Sequence, residues 1–344
     1  MWKPAPENTL ESLRHAIQMH DGIEFDLRLT KDKEVVIHHD GNVSVPKEKL
    51  DSSDAWVEHR TLRELESFGF CSFRSLLEDS IVHSEWRDNG KMGCVELKRP
   101  HPKTDVGGGY FGASQHKKHI TQLINASDAI LNEFEIPHEN TVFYAFHRGM
   151  RSSIKTSSTT RPWAELLPYI PPFGNRTTKR LRALPQFLTH SFAKLVESHS
   201  GSGASMIPAA IEYFVPPINK MPVGKKVGLR GKGAEHLKAV QGGFPVYVWP
   251  GHIELERDLL DAGLSLLTDN ADSEMKLPCG SSRWLRPATM PLNEEQVAGL
   301  RKGIVPEDVA PWHEISDQQL GWDAVRMIGH RGCGKSPRPV IQSR

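Results

Sequence analysis

The chain has 344 residues, of which 38% are hydrophobic and 25% are charged, as is usual for a globular protein in water. This length fits one large domain with extensions or two small domains. The formal net charge of +1 argues against a nucleic-acid binder that depends on bulk electrostatic attraction. No apolar run is long enough to span a bilayer, and the first residues contain no apolar signal core, so we expect a cytoplasmic protein.

The cysteines are spaced too widely and irregularly for a zinc ribbon or a disulfide framework. The four residues are Cys71, Cys94, Cys279 and Cys333. We therefore expect free thiols in a reducing compartment.

The order of the predicted elements indicates a parallel sheet. Short apolar runs predict strands at 23–27, 34–37, 92–98, 140–146, 209–215, 244–249, 264–269 and 324–328. Apolar residues at helical spacing predict helices at 9–17, 61–65, 73–77, 115–134, 253–262 and 292–302. Thr9 is the expected N-cap of the first helix. Residues 150–205 give no clear pattern. The strand–helix–strand unit at 244–269 is the building block of a parallel sheet.

Two acidic residues in the first predicted strand alternate with a phenylalanine. Side chains at positions i and i+2 of a strand leave the same face, so Glu24 and Asp26 point one way and Phe25 the other. Two carboxylates this close repel each other unless a cation lies between them, and Mg²⁺ and Ca²⁺ bind oxygen ligands of this kind. Acids that simply face solvent are the usual alternative for such a pair.

Glu96 and Lys98 repeat this spacing on another predicted strand. Barrel enzymes build their active sites from side chains at strand ends, so this pair is a candidate for the same site. A surface salt bridge, which contributes little to stability, is an equally good interpretation of this pair alone.

Two histidines follow apolar strands. His39 comes after the run at 34–37, and His330 follows Ile328 at a short distance, with Arg331 beside it. Histidine carries protons near neutral pH, and arginine binds phosphate oxygens. Hydrolysis of a phosphate diester needs such charge neutralisation, together with an acid and a base. Because the chain has 17 histidines, a structural or exposed residue is the usual alternative for His39.

Several segments together resemble the glycerophosphodiester phosphodiesterase family. They are IGHRG at 328–332, PENTLESLRHA at 6–16, IEFDLRLTKDKEVVIHHD at 23–40, VELKRP at 95–100, VYVWPG at 246–251 and AGLSLLTDN at 262–270. The resemblance is dense over the first hundred residues and thin between 148 and 242. It implies an α/β fold, a TIM-type (β/α)8 barrel of the phospholipase C-like phosphodiesterase type, with a small insertion after the strand that bears His39.

The resemblance also implies a metal site and a reaction. Glu24, Asp26 and Glu96 would bind Mg²⁺ or Ca²⁺, and Glu7 would be a further ligand or a neighbour of that site. The substrate would be a small glycerophosphodiester such as glycerophosphocholine, and the products a glycerol phosphate and an alcohol. The first attack would come from the substrate's own glycerol hydroxyl.

The remaining roles follow from the same resemblance. His330 and His39 would act as general base and general acid, and Arg331 and Lys98 would hold the phosphate. Trp249 would line the pocket beside the alcohol portion of the substrate.

A second His-Arg-Gly sequence follows another predicted strand, at 147–149. It lacks a Pro-Glu-Asn-Thr partner downstream, and the family has a different short motif at that strand end. Our interpretation is that Phe146 lines the pocket and that His147 is incidental, with a catalytic His147 as the minority alternative.

The order of the segments differs from that of the family. There the His-Arg-Gly strand directly precedes Pro-Glu-Asn-Thr, whereas here the two lie at opposite ends of the chain. We therefore expect one circularly permuted barrel over 1–344, with strands two to eight in 1–270, a connection at 271–322 and the first strand in 323–344. The alternatives are that a truncated second barrel begins at His330, or that the strand is donated to a neighbouring molecule in a swapped oligomer.

Two other functions stay open at this point. One is a lysophospholipase D-like hydrolase, and the other is a catalytically inactive barrel that serves as a binding module. We expect no nucleic-acid partner and no integral membrane segment, and the oligomeric state is left open.

Overall fold

A computed structural model describes residues 5–43, 56–109, 112–147, 149–167, 176–216, 227–271 and 325–334. The strands within these ranges are β1 (Gly22–Leu29), β2 (Val35–Ile37), β3 (Cys71–Ser72), β4 (Met92–Leu97), β5 (Thr141–Ala145), β6 (Trp163–Glu165), β7 (Ile207–Ala210), β8 (Val246–Trp249), β9 (Ser265–Thr268) and β10 (Met327–His330). The helices are α1 (Leu10–Met19), α2 (Leu62–Ser67), α3 (Phe73–Glu78), α4 (Ser80–Arg87), α5 (Ala113–Glu133), α6 (Met150–Thr156), α7 (Arg176–Thr189), α8 (Phe192–Ser202), α9 (Gly231–Gln241) and α10 (Glu256–Asp261).

The described strands form a nearly closed parallel barrel. Eight of them hydrogen-bond in the order β6-β5-β4-β1-β10-β9-β8-β7, and every pair in this path is parallel. The two ends of the path approach each other through a bridge between Leu167 and Ala209. β2 and β3 extend the sheet from β1 as antiparallel strands. The fold is therefore an α/β barrel, which confirms the predicted fold class.

The alternation in β1 decides which side chains enter the barrel. All of its residues are buried, as expected for a strand covered by helices outside and by side chains inside. Phe25 points outward, where its ring lies 5.7 Å from that of Phe73 and 5.9 Å from that of Trp86, measured between centroids. Glu24 and Asp26 on either side of Phe25 therefore point into the barrel.

The strand that ends in His330 completes the barrel of the same chain. β10 lies between β1 and β9, with Glu24 in register with His330 and Leu267 in register with Ile328. Neither β1 nor β9 is therefore left with an open edge on this side, and the strand needs no second molecule to find its partners.

The segment after β10 packs directly on the first helix. Its backbone is left-handed at three consecutive residues, Arg331, Gly332 and Cys333, with φ of 50°, 70° and 55°. A Cβ atom on Gly332 would lie 2.6 Å from the backbone of α1 at Leu13, so only glycine fits there. The Asn8 amide donates to the carbonyl of Arg331 at 3.1 Å, so this turn also holds the chain ahead of α1.

The eight predicted strands differ from the structure at one or both ends, and two of them differ most. The last strand was predicted at 324–328, but β10 runs over Met327–His330 because its hydrogen bonds follow β1 and β9 rather than the apolar run. The strand predicted at 209–215 was wrong beyond residue 210. β7 ends at Ala210, and Ile211–Tyr213 forms a 3₁₀ turn whose apolar side chains are nevertheless buried. An apolar run indicates burial and does not fix the backbone conformation.

Several predictions fall outside the described residues. These are the helix at 292–302 and almost all of the connection at 271–322, together with most of the insertion after His39. The stretch at 150–205 contains α6, β6, α7 and α8, which the sequence pattern did not separate. Among the described helices, none combines the length and the apolar character that a bilayer crossing requires.

The burial of Ile328 predicts that the last strand contributes to the stability of the whole barrel. Ile328 is 0% exposed in the barrel interior, whereas Leu181 on α7 is 64% exposed. We expect Ile328→Ala to lower the free energy of unfolding in urea by about 2–5 kcal/mol through lost burial and a cavity, and Leu181→Ala to change it by less than about 0.5 kcal/mol. Equal midpoints for the two variants would show that the strand is not integrated in the core.

Candidate active site

The candidate site is a cavity of about 540 Å³ at the carboxyl ends of the barrel strands. Its charged half is lined by Glu24, Arg28, His39, Glu96, Lys98, His330 and Arg331. Its other half is lined mainly by apolar and aromatic side chains, including Tyr144, Phe146, Leu166, Met206, Tyr247, Trp249 and Leu267. This end of a parallel barrel is where barrel enzymes carry their active sites.

Three carboxylates meet at this end. Asp26 on β1 lies in register with Glu96 on β4, and Glu24 lies two residues earlier on the same face of β1. All three side chains are buried, and each offers an oxygen atom within 4.8 Å of the other two. Oxygen donors at this spacing fit a hard divalent cation such as Mg²⁺ or Ca²⁺. The structure therefore brings together the three predicted metal ligands.

The pKa values of these acids differ because their neighbours differ. Burial raises the pKa of Glu24 to about 7, an effect that the charge of His330 opposes and that of Asp26 reinforces. Burial likewise raises the pKa of Glu96, against the charge of Lys98. Burial alone would also raise the pKa of Asp26, but Lys98 and Arg331 hold it well below its usual range.

Two cations approach Asp26 from different strands. The Nζ atom of Lys98 lies 2.8 Å from Asp26 Oδ1 and also contacts Glu96. The Nε atom of Arg331 lies 3.2 Å from Asp26 Oδ2, and the Arg331 backbone amide donates to Glu24 Oε2 at 3.0 Å. Both predicted phosphate-binding residues thus lie against the carboxylates.

His330 lies between two carboxylates. Its Nδ1 atom is 2.5 Å from Asp269 Oδ1, and its Nε2 atom is 3.6 Å from Glu24 Oε2. Burial lowers the pKa of His330, but Glu24 and Asp269 outweigh it, so that the net shift is upward. Since a carboxylate accepts the Nδ1 proton, Nε2 is the nitrogen left to exchange a proton.

His39 lines the same cavity, but its hydrogen-bond partners are Asp40 and Arg28. Its Nδ1 atom is 2.8 Å from Asp40, and its backbone carbonyl accepts hydrogen bonds from the Arg28 guanidinium at 2.9 and 3.3 Å. Arg28 also binds Glu58 at 3.0 Å and the carbonyl of Arg99 at 3.0 Å, so it ties His39 to two loops. Partial burial and the nearby charge of Lys98 lower the pKa of His39 to about 3.

Glu7 and Asn8 reach the site from the segment ahead of α1. The Oε1 atom of Glu7 lies 3.5 Å from Arg331 Nη1, and Glu7 does not belong to the cluster of three carboxylates. Asn8 binds Asp26 twice, donating to Oδ2 at 2.9 Å and accepting from the Asp26 amide at 3.3 Å. Asn8 thus contacts Asp26 directly, whereas Glu7, the residue expected from the family resemblance, lies against Arg331.

Phe146 and Trp249 form a wall of the cavity, with ring centroids 5.3 Å apart and planes at 87°. Tyr144 lies deeper on β5, and burial, followed by the charge of Glu24, raises the pKa of its hydroxyl well above the usual value. His147 is absent from the cavity lining. Its ring packs near that of His116 at 6.2 Å between centroids, and burial lowers its pKa to about 4.

Sequence reasoning missed Asn8, Arg28, Asp269 and Tyr144, which all belong to this site or contact it. Arg28 lies two residues after Asp26 on β1, so the alternation of that strand was its signal. Asn8 lies in the motif that carried the resemblance, and its contact with Asp26 depends on the turn before α1. Asp269 directly follows β9, and the position of polar residues at a strand end was the available signal. Tyr144 could have been found from the alternation of β5, which puts it on the face opposite Phe143.

A parallel barrel whose mouth holds three carboxylates, two cations and two histidines has the groups that hydrolysis of a phosphate ester requires. The glycerophosphoryl diester phosphodiesterase family model matches residues 3–122. YhdW of Bacillus subtilis (strain 168), a protein assigned as a glycerophosphodiester phosphodiesterase, is 38% identical over 233 residues, which cover 66% of this chain and 86% of that protein.

A solved structure is similar in fold. The crystal structure of a protein from Silicibacter pomeroyi DSS-3, assigned as a glycerophosphoryl diester phosphodiesterase, has a TM-score of 0.52 at 16% identity and covers 78% of this chain and 86% of that chain. At this identity the likeness shows the barrel fold alone. The sequence matches go further: the chain belongs to the glycerophosphoryl diester phosphodiesterase family and is a phosphoric diester hydrolase.

The spacing of the three carboxylates predicts that they bind a divalent cation. We expect Mg²⁺ or Ca²⁺ to raise the thermal unfolding midpoint of the protein, since a ligand that binds only the folded state stabilises it. Glu24→Gln should abolish that rise. Because it removes one of three neighbouring negative charges, its midpoint without added cation should equal or exceed that of the unchanged protein.

The control for this measurement is Glu133→Gln, an exposed acid that pairs with Arg74. It should keep the full cation-dependent rise. A rise that survives Glu24→Gln would place the cation elsewhere.

Proposed function

We propose that the chain hydrolyses glycerophosphodiesters such as glycerophosphocholine to a glycerol phosphate and an alcohol, in a reaction that depends on a divalent cation. The observation that carries this proposal is the convergence of His330, Arg331, Lys98 and the three carboxylates in one cavity. Family membership supports the reaction class, and the cavity chemistry supports the cation and the acid–base pair.

In this proposal Glu24, Asp26 and Glu96 hold the cation, which would neutralise charge on the phosphate. Lys98 and Arg331 bring two further positive charges to the same place and bind the non-bridging phosphate oxygens. These contacts orient the phosphate between the two histidines.

His330 acts as the general base and His39 as the general acid. Nε2 of His330 takes the proton from the attacking hydroxyl, a glycerol hydroxyl of the substrate, while Asp269 keeps the ring oriented through Nδ1. The new P–O bond forms as the bond from phosphorus to the leaving alcohol breaks. The negative charge of the bound phosphate raises the pKa of His39 from its value of about 3 in the free site, so that His39 can give a proton to that alcohol oxygen. Arg28 fixes the backbone of His39. The first step leaves a cyclic phosphate on the glycerol. In the second step His39 takes a proton from water as the water oxygen bonds to phosphorus, the ring P–O bond breaks, and His330 returns its proton to the freed glycerol oxygen, which gives the glycerol phosphate.

The apolar half of the cavity favours one alternative substrate. Phe146, Leu166, Met206 and Trp249 could contact a hydrocarbon chain, as a lysophospholipase D-like reaction requires. Rates on lysophosphatidylcholine and on glycerophosphocholine, measured side by side, separate the two substrates. The convergence of every expected ionisable residue argues against a catalytically inactive barrel.

The assigned role of His330 predicts a large loss of turnover without loss of folding. We expect His330→Ala to lower kcat on glycerophosphocholine by about 10²–10⁴-fold, the usual contribution of a general acid or base, with a far-ultraviolet spectrum like that of the unchanged protein. His138→Ala, which changes an exposed histidine far along the chain, should leave kcat unchanged. A turnover close to normal in His330→Ala would refute the assigned role.

We also propose that the chain is a circular permutation of the family order and forms one barrel. The first and last described segments are already adjacent: a Cβ atom on Gly334 would lie 2.3 Å from the Cα atom of Glu7, and the backbone amide of Asn8 bonds to the carbonyl of Arg331. Segments this close can be joined by a short linker without moving the strands between them.

A rearranged chain tests the permutation. It begins at residue 323, runs to Gly334, continues through a short glycine linker to Ala5 and ends at residue 322. We expect the same thermal midpoint and the same activity on glycerophosphocholine as in the natural order, because each strand keeps its neighbours. A matched chain without residues 323–334 should not fold. A rearranged chain that also fails to fold would contradict the proposal.

A further inference from the structure

Tyr144 occupies a position that the proposed reaction does not yet use. It lies on β5 in register with Glu96 on β4, so the two side chains leave the same face of the sheet. That face is the barrel interior, and Tyr144 lines the cavity together with Glu24 and Glu96. Its ring packs in the interior cluster that also contains Met206, Leu267 and Ile328.

The hydroxyl group of Tyr144 is buried without a partner. The residue is 3% exposed, and its hydroxyl makes no hydrogen bond to any of the described residues. A buried hydroxyl group without a hydrogen-bond partner lowers the stability of the folded protein, and a phenylalanine would fill the same space without that loss. Because Tyr144 lines the candidate active-site cavity, a ligand bound there is the expected partner for this unpaired donor.

The neighbouring groups indicate what that ligand is. Lys98 and Arg331, two of the cations that line the cavity, are in ion pairs with Asp26, at 2.8 and 3.2 Å. Tyr144 is a neutral donor at ordinary pH and is not tied to a carboxylate in this way. It can therefore contact an anionic oxygen without giving up another bond.

We propose that Tyr144 is a substrate-contacting residue whose hydroxyl donates a hydrogen bond to a non-bridging oxygen of the substrate's phosphate. The inference rests on the proposed function and deepens it. A phosphate bound in this way has the carboxylates of β1 and β4 on one side and strand β5 on the other. The alcohol portion then lies toward Phe146 and Trp249, which form the adjoining wall.

The test compares two tyrosines whose buried hydroxyl groups both lack a hydrogen-bond partner among the described residues. Tyr144→Phe removes only the hydroxyl oxygen. The matched control is Tyr213→Phe: Tyr213 is 5% exposed, its hydroxyl also lacks a partner among the described residues, and it does not line the cavity. Tyr144→Met, which also removes the hydroxyl, serves as a second variant if the first does not fold.

Tyr144→Phe should lower kcat/KM on glycerophosphocholine by about 10- to 100-fold, as expected for a lost hydrogen bond to a charged group. The dissociation constant of inorganic phosphate, measured by calorimetry, should rise by a similar factor. The thermal midpoint should stay equal or increase, and the cation concentration for half-maximal activity should not change. Tyr213→Phe should leave both the kinetics and phosphate binding unchanged.

Two results would overturn the proposal. One is wild-type kcat/KM and phosphate affinity in Tyr144→Phe, which would mean that water satisfies the hydroxyl. The other is a loss that excess cation restores, which would mean that Tyr144 acts through the cation. If the unchanged protein does not hydrolyse glycerophosphodiesters, the proposed function fails by itself, and the phosphate-binding comparison still decides the role of Tyr144.

Discussion

The burial of several carboxylates at the mouth of one barrel is the constraint on which the rest of the structure depends. Charged groups that leave water lose hydration free energy, and only close opposite charges and hydrogen bonds offset that loss. Asp26 is the most demanding case because its side chain is fully buried. Asn8, Lys98 and Arg331 all contact its carboxylate, and the two cations keep its pKa well below the usual range.

The three partners of Asp26 come from distant parts of the chain. Asn8 precedes α1, Lys98 follows β4, and Arg331 follows β10. Their convergence on one carboxylate ties the first described segment and the last one to the middle of the barrel. A strand that contributed apolar contacts alone could close the sheet between β1 and β9. Because β10 also delivers Arg331 to Asp26, docking of this strand and neutralisation of the buried acid are the same event.

Much of this arrangement could be predicted from the sequence, and the reason is local geometry. The two-residue period of a strand places Glu24 and Asp26 on one face, and that face is the barrel interior. The same period puts Tyr144 opposite Phe143, and Asp269 stands at a strand end, but the roles of these two residues depend on which strands become neighbours, and no local pattern shows that. The bounds of β7 and the elements between 150 and 205 were also beyond prediction, since burial there comes from tertiary packing and not from a local period.

The residues that would bind the cation and the residues proposed for catalysis lie on different kinds of backbone. The carboxylates that would hold a cation lie on β1 and β4, which pair over the whole length of β4. His330 and Arg331 instead precede and enter a left-handed turn that is held by its packing on α1. Non-glycine residues keep such a conformation only where the surrounding structure imposes it. Local opening at this turn would therefore withdraw His330, the proposed base, and the cation Arg331 while the carboxylates stay in place. A variant that loses turnover but still binds the cation then reports on the docking of the turn at 331–333. A variant that loses both turnover and cation binding reports on the β1–β4 pair.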